Sequence, residues 1–206
     1  MKLSVRHLAP LLALALCYAT ALSYPRPSLA PPAFTSLAGQ LLVANRHLAD
    51  PNFARCVVYM VAHSEEGAMG LVVNRRYGTV TLQKLFGDFG AKAGGNRPVA
   101  LYYGGPVESE RGFILHSDDY TGAGTQLFRN GIALSGDLEI VRAVAEGRGP
   151  KQVLFLAGYA GWGPGQVEHE MARNDWLVAP ADPTLIFSSA PETVWEKALQ
   201  RAGLNL

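Results

Sequence analysis

"KQVLFLAGYAGWGPGQVEHE", residues 151–170, is the stretch whose reading decides the fold. Residues 151–160 read as a buried strand, apolar from Val153 onward with little alternation. Four glycines then fall within eight positions, at Gly158, Gly161, Gly163 and Gly165, and "PGQVEHEMARN" follows with helical spacing. A strand, a glycine-rich turn and a helix are predicted in that order, with a sharp bend near Trp162. In this reading Gly163 caps the helix, Pro164 takes its first position, and the other glycines allow close approach or positive φ. The same order of elements serves phosphate binding in other proteins, so the motifs need checking. The dinucleotide pattern fails because Gln166 or Glu168 stands where its third glycine belongs. The P-loop pattern fails at Pro164. Glu168 and Glu170 near the helix start suit its dipole and repel an anion. A structural turn is the expectation, and no cofactor is expected.

Working outward, "LAGQLLVA" (37–44) and "CVVYMVAH" (56–63) read as strands, the second buried on both faces. "DPNFAR" (50–55) is a turn or short helix. "SEEGAMG" turns the chain into "LVVN" (71–74), a hairpin partner. Residues 81–89 suit a short helix opened by Thr79 or Thr81. Strands are expected at 97–105 and 111–117 around the turn "GPVESE". The glycine-rich segment 118–136 holds short strands at most. A helix over 136–146 is predicted to turn Leu138, Val141, Val144 and Ala145 to one face, with Ser135 as cap. "DWLVAP" (175–180) is extended. A last helix opens at Pro191, buries Val194, Ala198 and Leu199, and stops at Gly203. Strands and helices mix without regular alternation, which favours one α+β domain over a doubly wound sheet.

The 206-residue chain has 49% hydrophobic and 17% charged residues and a net charge of +1. That composition is globular and carries no field of the kind that draws nucleic acid. Residues 1–21 hold Lys2 and Arg6, an apolar run and the small-x-small site Ala19-Thr20-Ala21, the three regions of a secretory signal. Residues 22–36 carry four prolines and read as a linker. The folded domain is expected over 37–206. Cleavage of residues 1–21 would leave a net charge of −1 and place the protein in the periplasm or outside the cell. The alternative is a cytoplasmic protein with an uncleaved extension. The apolar run is shorter than the roughly 20 residues of a membrane span. Cys17 lies in the segment that cleavage removes, which would leave Cys56 alone.

Four stretches carry a resemblance: "LAGQLLVA", "LADPNFARCVVYMVAHSEEGAMGLVVNR", "GGPVESERGFILH" and "GYAGWGPGQVEHEMARNDWL". Together they resemble the YqgE/AlgH family of bacterial proteins of uncharacterised function. The resemblance implies a mixed, split β-sheet with a small barrel-like part flanked by helices. It assigns no chemistry, although one member's name links it to transcriptional control. This chain departs from the usual family pattern in carrying some 36 residues ahead of the first strand, where family members look cytosolic.

The chemistry-bearing residues point to binding over catalysis. His63, His116 and His169 each neighbour acids, but HExxH fails at Arg173 and cysteine pairs are absent, so no metal site is expected. A G-x-S-x-G elbow is missing. Cys56 reads as inert packing, with a pairing to His47 or His116 as the enzymatic alternative, redox or hydrolytic. Arg75, Arg76 and Tyr77, with Arg97 and Arg111, are the densest basic positions, and a solvated strand edge explains them better than DNA contact. The candidate surface therefore joins two glycine turns: Gly104, Gly105, Pro106 and Arg111 on one, and Gly158, Gly161, Trp162, Gly163, Gly165, Gln166 and Glu168 on the other. The expected function is non-enzymatic binding of a protein or small molecule. The alternative is a transcriptional regulator acting on DNA or a DNA-binding partner.

Overall fold

The computed structural model describes residues 34–92 and 95–203. The signal-like segment 1–21 and most of the proline-rich linker lie outside the described residues.

Ten strands form one mixed sheet that curls into a half-barrel. β1 (Gln40–Ala44), β2 (Val57–Ser64) and β3 (Gly67–Val72) run antiparallel, and β1 also zips to β10 (Trp176–Pro180). β9 (Val153–Trp162) is the hub. One edge pairs antiparallel with β6 (Val107–Ser117). Its other edge pairs first with β5 (Pro98–Tyr103), in parallel, and then with β3. The split in the sheet falls on this strand, because β9 leaves β5 after Ala157 and joins β3 at Ala160. β4 (Arg76–Thr81) extends the sheet beside β5, and β7 (Thr125–Leu127) and β8 (Ile132–Ser135) extend it beside β6.

Helices cover both faces. α1 (Leu82–Lys92) and α2 (Glu139–Ala145) bury Leu82, Ile140 and Val141 against Val99, Ile114 and Phe155. α3 (Gln166–Ala172) sets Val167 in the cluster of Leu42, Val58, Met60, Trp162 and Trp176. The opposite face of the same strands, through Leu41, Val43, Tyr59 and Leu71, meets α4 (Pro183–Ile186) and α5 (Val194–Arg201). β1 to β3 are thus buried on both sides, which explains why their sequences run apolar without alternation. A 3₁₀ turn, Pro191–Thr193, leads into α5, whose Val194, Trp195, Ala198 and Leu199 are buried.

Several expectations need correction. The glycine-rich stretch stays extended through Gly161 and Trp162, so the turn begins one residue later than the predicted bend. Gly165, at φ 69°, holds the N-cap position of α3 in place of Gly163, and Pro164 precedes the helix. Helix α2 starts at Glu139 behind the Asp137 carboxylate, which accepts from the Glu139 amide; Ser135 bonds His116 and Thr125 instead. Leu138 stands 42% exposed outside the buried face. β3 begins at Gly67, so the hairpin turn is tighter than "SEEGAMG". β4 lay in a stretch with no predicted element. β6 begins at Val107, inside the predicted turn.

Candidate functional site

The two glycine segments meet where β6 crosses β9. Val107 pairs with Tyr159, and the next paired residue, Gly112, faces Ala157. Residues 108–111 therefore bulge opposite Gly158 alone. The bulge begins at Glu108, whose φ of 47° is unusual for a residue with a side chain. Glu108 is gripped from two sides: the Tyr159 hydroxyl donates to it at 3.2 Å and Arg111 Nη1 at 3.1 Å. The Arg111 guanidinium also lies over Phe113, 5.2 Å from the ring centre. Glu108 and desolvation together raise the Tyr159 hydroxyl above its ordinary pKa, desolvation being the larger cause.

Beneath the bulge the backbones touch. A Cβ on Gly104 would strike the carbonyl of Gly158, and one on Gly105 the backbone of Tyr159 and Ala160. Gly105 (φ 153°) and Gly158 (φ 73°) also sit where side chains are rarely tolerated. Gly104, Gly105 and Gly158 are buried by this crossing, and their role is packing.

Trp162 is buried as well, 6% exposed, within the aromatic group of Phe53 and Trp176. Glu170 organises that group. Its Oε2 accepts the indole N–H of Trp162 at 2.9 Å and of Trp176 at 2.8 Å, and its Oε1 accepts from the Gln166 amide at 2.9 Å. Gln166 Oε1 in turn accepts the Gly163 amide at 3.0 Å, which uses a donor that a bound anion would need. Glu168 reaches outward to His63 Nε2 at 2.8 Å, while His63 Nδ1 accepts the Leu37 amide at 3.0 Å. Of the residues chosen from sequence, Pro106, Arg111, Gly161, Gly163, Gln166 and Glu168 are exposed, and Gly165 is half-buried. Gly161 joins the two segments in space, since a Cβ there would contact the Tyr159 ring and the Val107 side chain. Tyr159, Val107 and Glu170 were not singled out from the sequence. Tyr159 lies between two glycines inside the quoted stretch, and that placement was the available signal.

The other candidates fall elsewhere. Cys56 is fully buried, and burial pushes its thiol up to about 11 against the opposing pull of Arg75. Arg75 donates to the carbonyls of Pro51, Asn52 and Ala54, so its guanidinium braces the 50–55 turn. His116 is buried, with Nδ1 2.8 Å from the Ser117 carbonyl and Nε2 2.9 Å from Ser135 Oγ. Desolvation lowers its pKa, outweighing the Ser117 hydrogen bond and the charge of Asp119. The described residues hold no group of three or more His, Cys, Asp and Glu placed to share a metal ion. No helix among them is long and apolar enough to cross a membrane.

Residues 41–206 match a family model described as AlgH-like. A UPF0301 protein of Methylococcus capsulatus is 50% identical over 181 residues, spanning 88% of this chain and all of the relative. A UPF0301 protein of Jannaschia is 42% identical over 82% of this chain and 90% of its own length. Among solved structures, the AlgH protein from Pseudomonas aeruginosa matches with a TM-score of 0.68 and 39% identity, over 85% of this chain and 93% of that one. A Corynebacterium diphtheriae protein, 24% identical, shares the fold with a TM-score of 0.65 over 80% of this chain and 86% of its own.

Proposed function

This chain belongs to the AlgH-like family, and from that premise we propose that it is a non-enzymatic binding protein. Its contact surface is the outer part of the crossing, exposed Val107, Arg111 and Gly161 with half-buried Tyr159, continued by Gly163, Gln166 and Glu168. The observation that carries this reading is the bulge at 108–111. It projects from a rigid glycine crossing, starts at a strained Glu108, and is held by Tyr159 and Arg111. Bulges that re-aim side chains concentrate at sites of function. Val107, 36% exposed, gives the surface an apolar centre. The partner is a protein, because the surface is open and lies over packed backbone.

The test is affinity capture with the folded domain, repeated with Val107→Asp and with Gly161→Arg. A partner held by the native chain and lost by both variants is the expected outcome, and Val107→Asp, whose melting temperature stays unchanged, decides the matter if Gly161→Arg melts early against the Tyr159 ring. Partners retained by both variants would remove this surface from consideration.

A second reading, a regulator acting on DNA or on a DNA-binding partner, draws on exposed Arg76 and Tyr77 at the β4 edge. Retention on DNA that weakens steeply with salt would favour it, and a flat response at low salt rejects it. We also propose export after removal of residues 1–21, on the strength of Lys2, Arg6, the apolar run and Ala19-Thr20-Ala21. Mass spectrometry of cell fractions decides it: a periplasmic chain beginning at Leu22 is expected, and an intact Met1 in the cytosol rejects it.

A further inference from the structure

Beside the same bulge, lined in part by its Ser109 and Glu110, lies a groove of about 400 Å³. Its floor follows from the sheet register. Phe155 and Ile114 are paired neighbours on the face that α1 and α2 cover. Two residues along each strand, on that same face, come Ala157 and Gly112, again directly opposite each other. Here the opposed pair is an alanine and a glycine, the two smallest residues. A Cβ on Gly112 would meet nothing within 4 Å. The floor is open because of what these two positions lack.

Apolar side chains share the walls with polar groups. α1 contributes Leu85 and Phe86, β5 contributes Leu101, β6 contributes Phe113, and Leu138 joins them. Phe86 stands edge-on to Phe155 at 5.7 Å, so an aromatic corner forms one side. Leu138 has no place in the α2 core and is 42% exposed, with this groove beside it. The mouth carries Lys84, Ser109 and Glu110, all exposed. One positive and one negative side chain leave no net charge to select an ion, and an apolar floor disfavours burying one. The rim adjoins the part of the bulge that Glu108, Arg111 and Tyr159 tie together.

We infer that this groove binds an uncharged apolar small molecule, aromatic or branched-aliphatic, with one polar atom directed at the Ser109 hydroxyl. The volume lies at the lower end of small-molecule sites, which run from about 300 to 1,000 Å³. The site is distinct from the surface proposed above, since Val107, Arg111, Tyr159 and Gly161 do not line it, although Arg111 and Tyr159 pack on its lining residue Phe113.

The test uses N-phenyl-1-naphthylamine, an uncharged probe that fluoresces in apolar surroundings, titrated into the full chain. Saturable enhancement is expected. Gly112→Leu places a side chain in the open floor without backbone strain and is expected to weaken binding at least about tenfold, with the melting curve unchanged. Leu138→Ser, at an exposed position outside the core, is expected to weaken it severalfold and decides the matter if Gly112→Leu melts early. Val107→Asp, at a position that does not line the groove, leaves binding as it was. Absence of saturable enhancement, or enhancement equal in the native chain and both groove variants, overturns the inference.

Discussion

Two glycines of one strand-turn segment, Gly105 and Gly112, sit seven residues apart and do opposite things. At Gly105 the missing side chain lets backbones touch, and any added atom would overlap Tyr159 and Ala160. At Gly112 the missing side chain leaves empty space above a sheet. The first closes a crossing and the second opens a groove. The contrast teaches that glycine richness marks close backbone approach or cleared volume, and only the partner across the sheet decides which. Gly105 faces the backbone of β9, whereas Gly112 faces Ala157 in register.

The largest expected effect comes from exchanging these roles. Gly105→Ala is expected to cost at least about 3 kcal/mol, because steric overlap and an unfavourable φ combine. Gly112→Ala is expected to stay within about 0.5 kcal/mol of the native chain. Urea unfolding of the pair measures both, and similar costs would break the contrast. Next in size is Glu170→Ala, which leaves two buried indole N–H groups without an acceptor. A loss of about 2–3 kcal/mol is expected, with a shift in tryptophan emission. A neutral outcome would mean that the quoted stretch is held by its glycines alone.

The pH response gives a smaller and signed test. The lowered pKa of His116 means that the unfolded chain takes up a proton more readily than the folded one. Stability is therefore fully present above about pH 6.5 and falls as pH drops below it towards the folded pKa. Denaturation between pH 7 and 5 should show this slope, and His116→Gln should flatten it. The smallest effect is expected at Arg111→Ala. Arg111 and Glu108 are 57% and 51% exposed at their side chains, and such pairs contribute about 0–1 kcal/mol. A larger loss would show that the bulge depends on the ion pair beyond its glycine base.

Much of the frame was legible because burial on both faces writes a continuous apolar run. The strands around Val58 and Leu156 show such runs, whereas the helix with Val194, Ala198 and Leu199 shows one apolar face between Pro191 and Gly203. Thr81 also announced α1, since its hydroxyl accepts from the Lys84 amide. β4 was missed because "RYGTVT" lies at an edge and is mostly exposed or half-buried, so it writes no such run. The start of β6 reads as a turn in sequence because "VESE" is polar; it is strand and bulge together. Near the candidate site the sequence located both glycine segments but could not separate packing from exposure. That separation depends on Gly158 lying under residues more than forty positions away. The groove left even less trace, since its floor is a single opposed pair, Ala157 and Gly112, from distant strands.

The pairing of β1 with β10 has a consequence in time. Leu42 is matched to Val178, so the first strand of the sheet gains its outer neighbour only near the end of the chain. During synthesis the nascent polypeptide carries a bare apolar edge at residues 40–44 until Trp176–Pro180 has left the ribosome. Closure over that span is slow for a chain of this length, and truncation before Trp176 leaves an edge primed for aggregation.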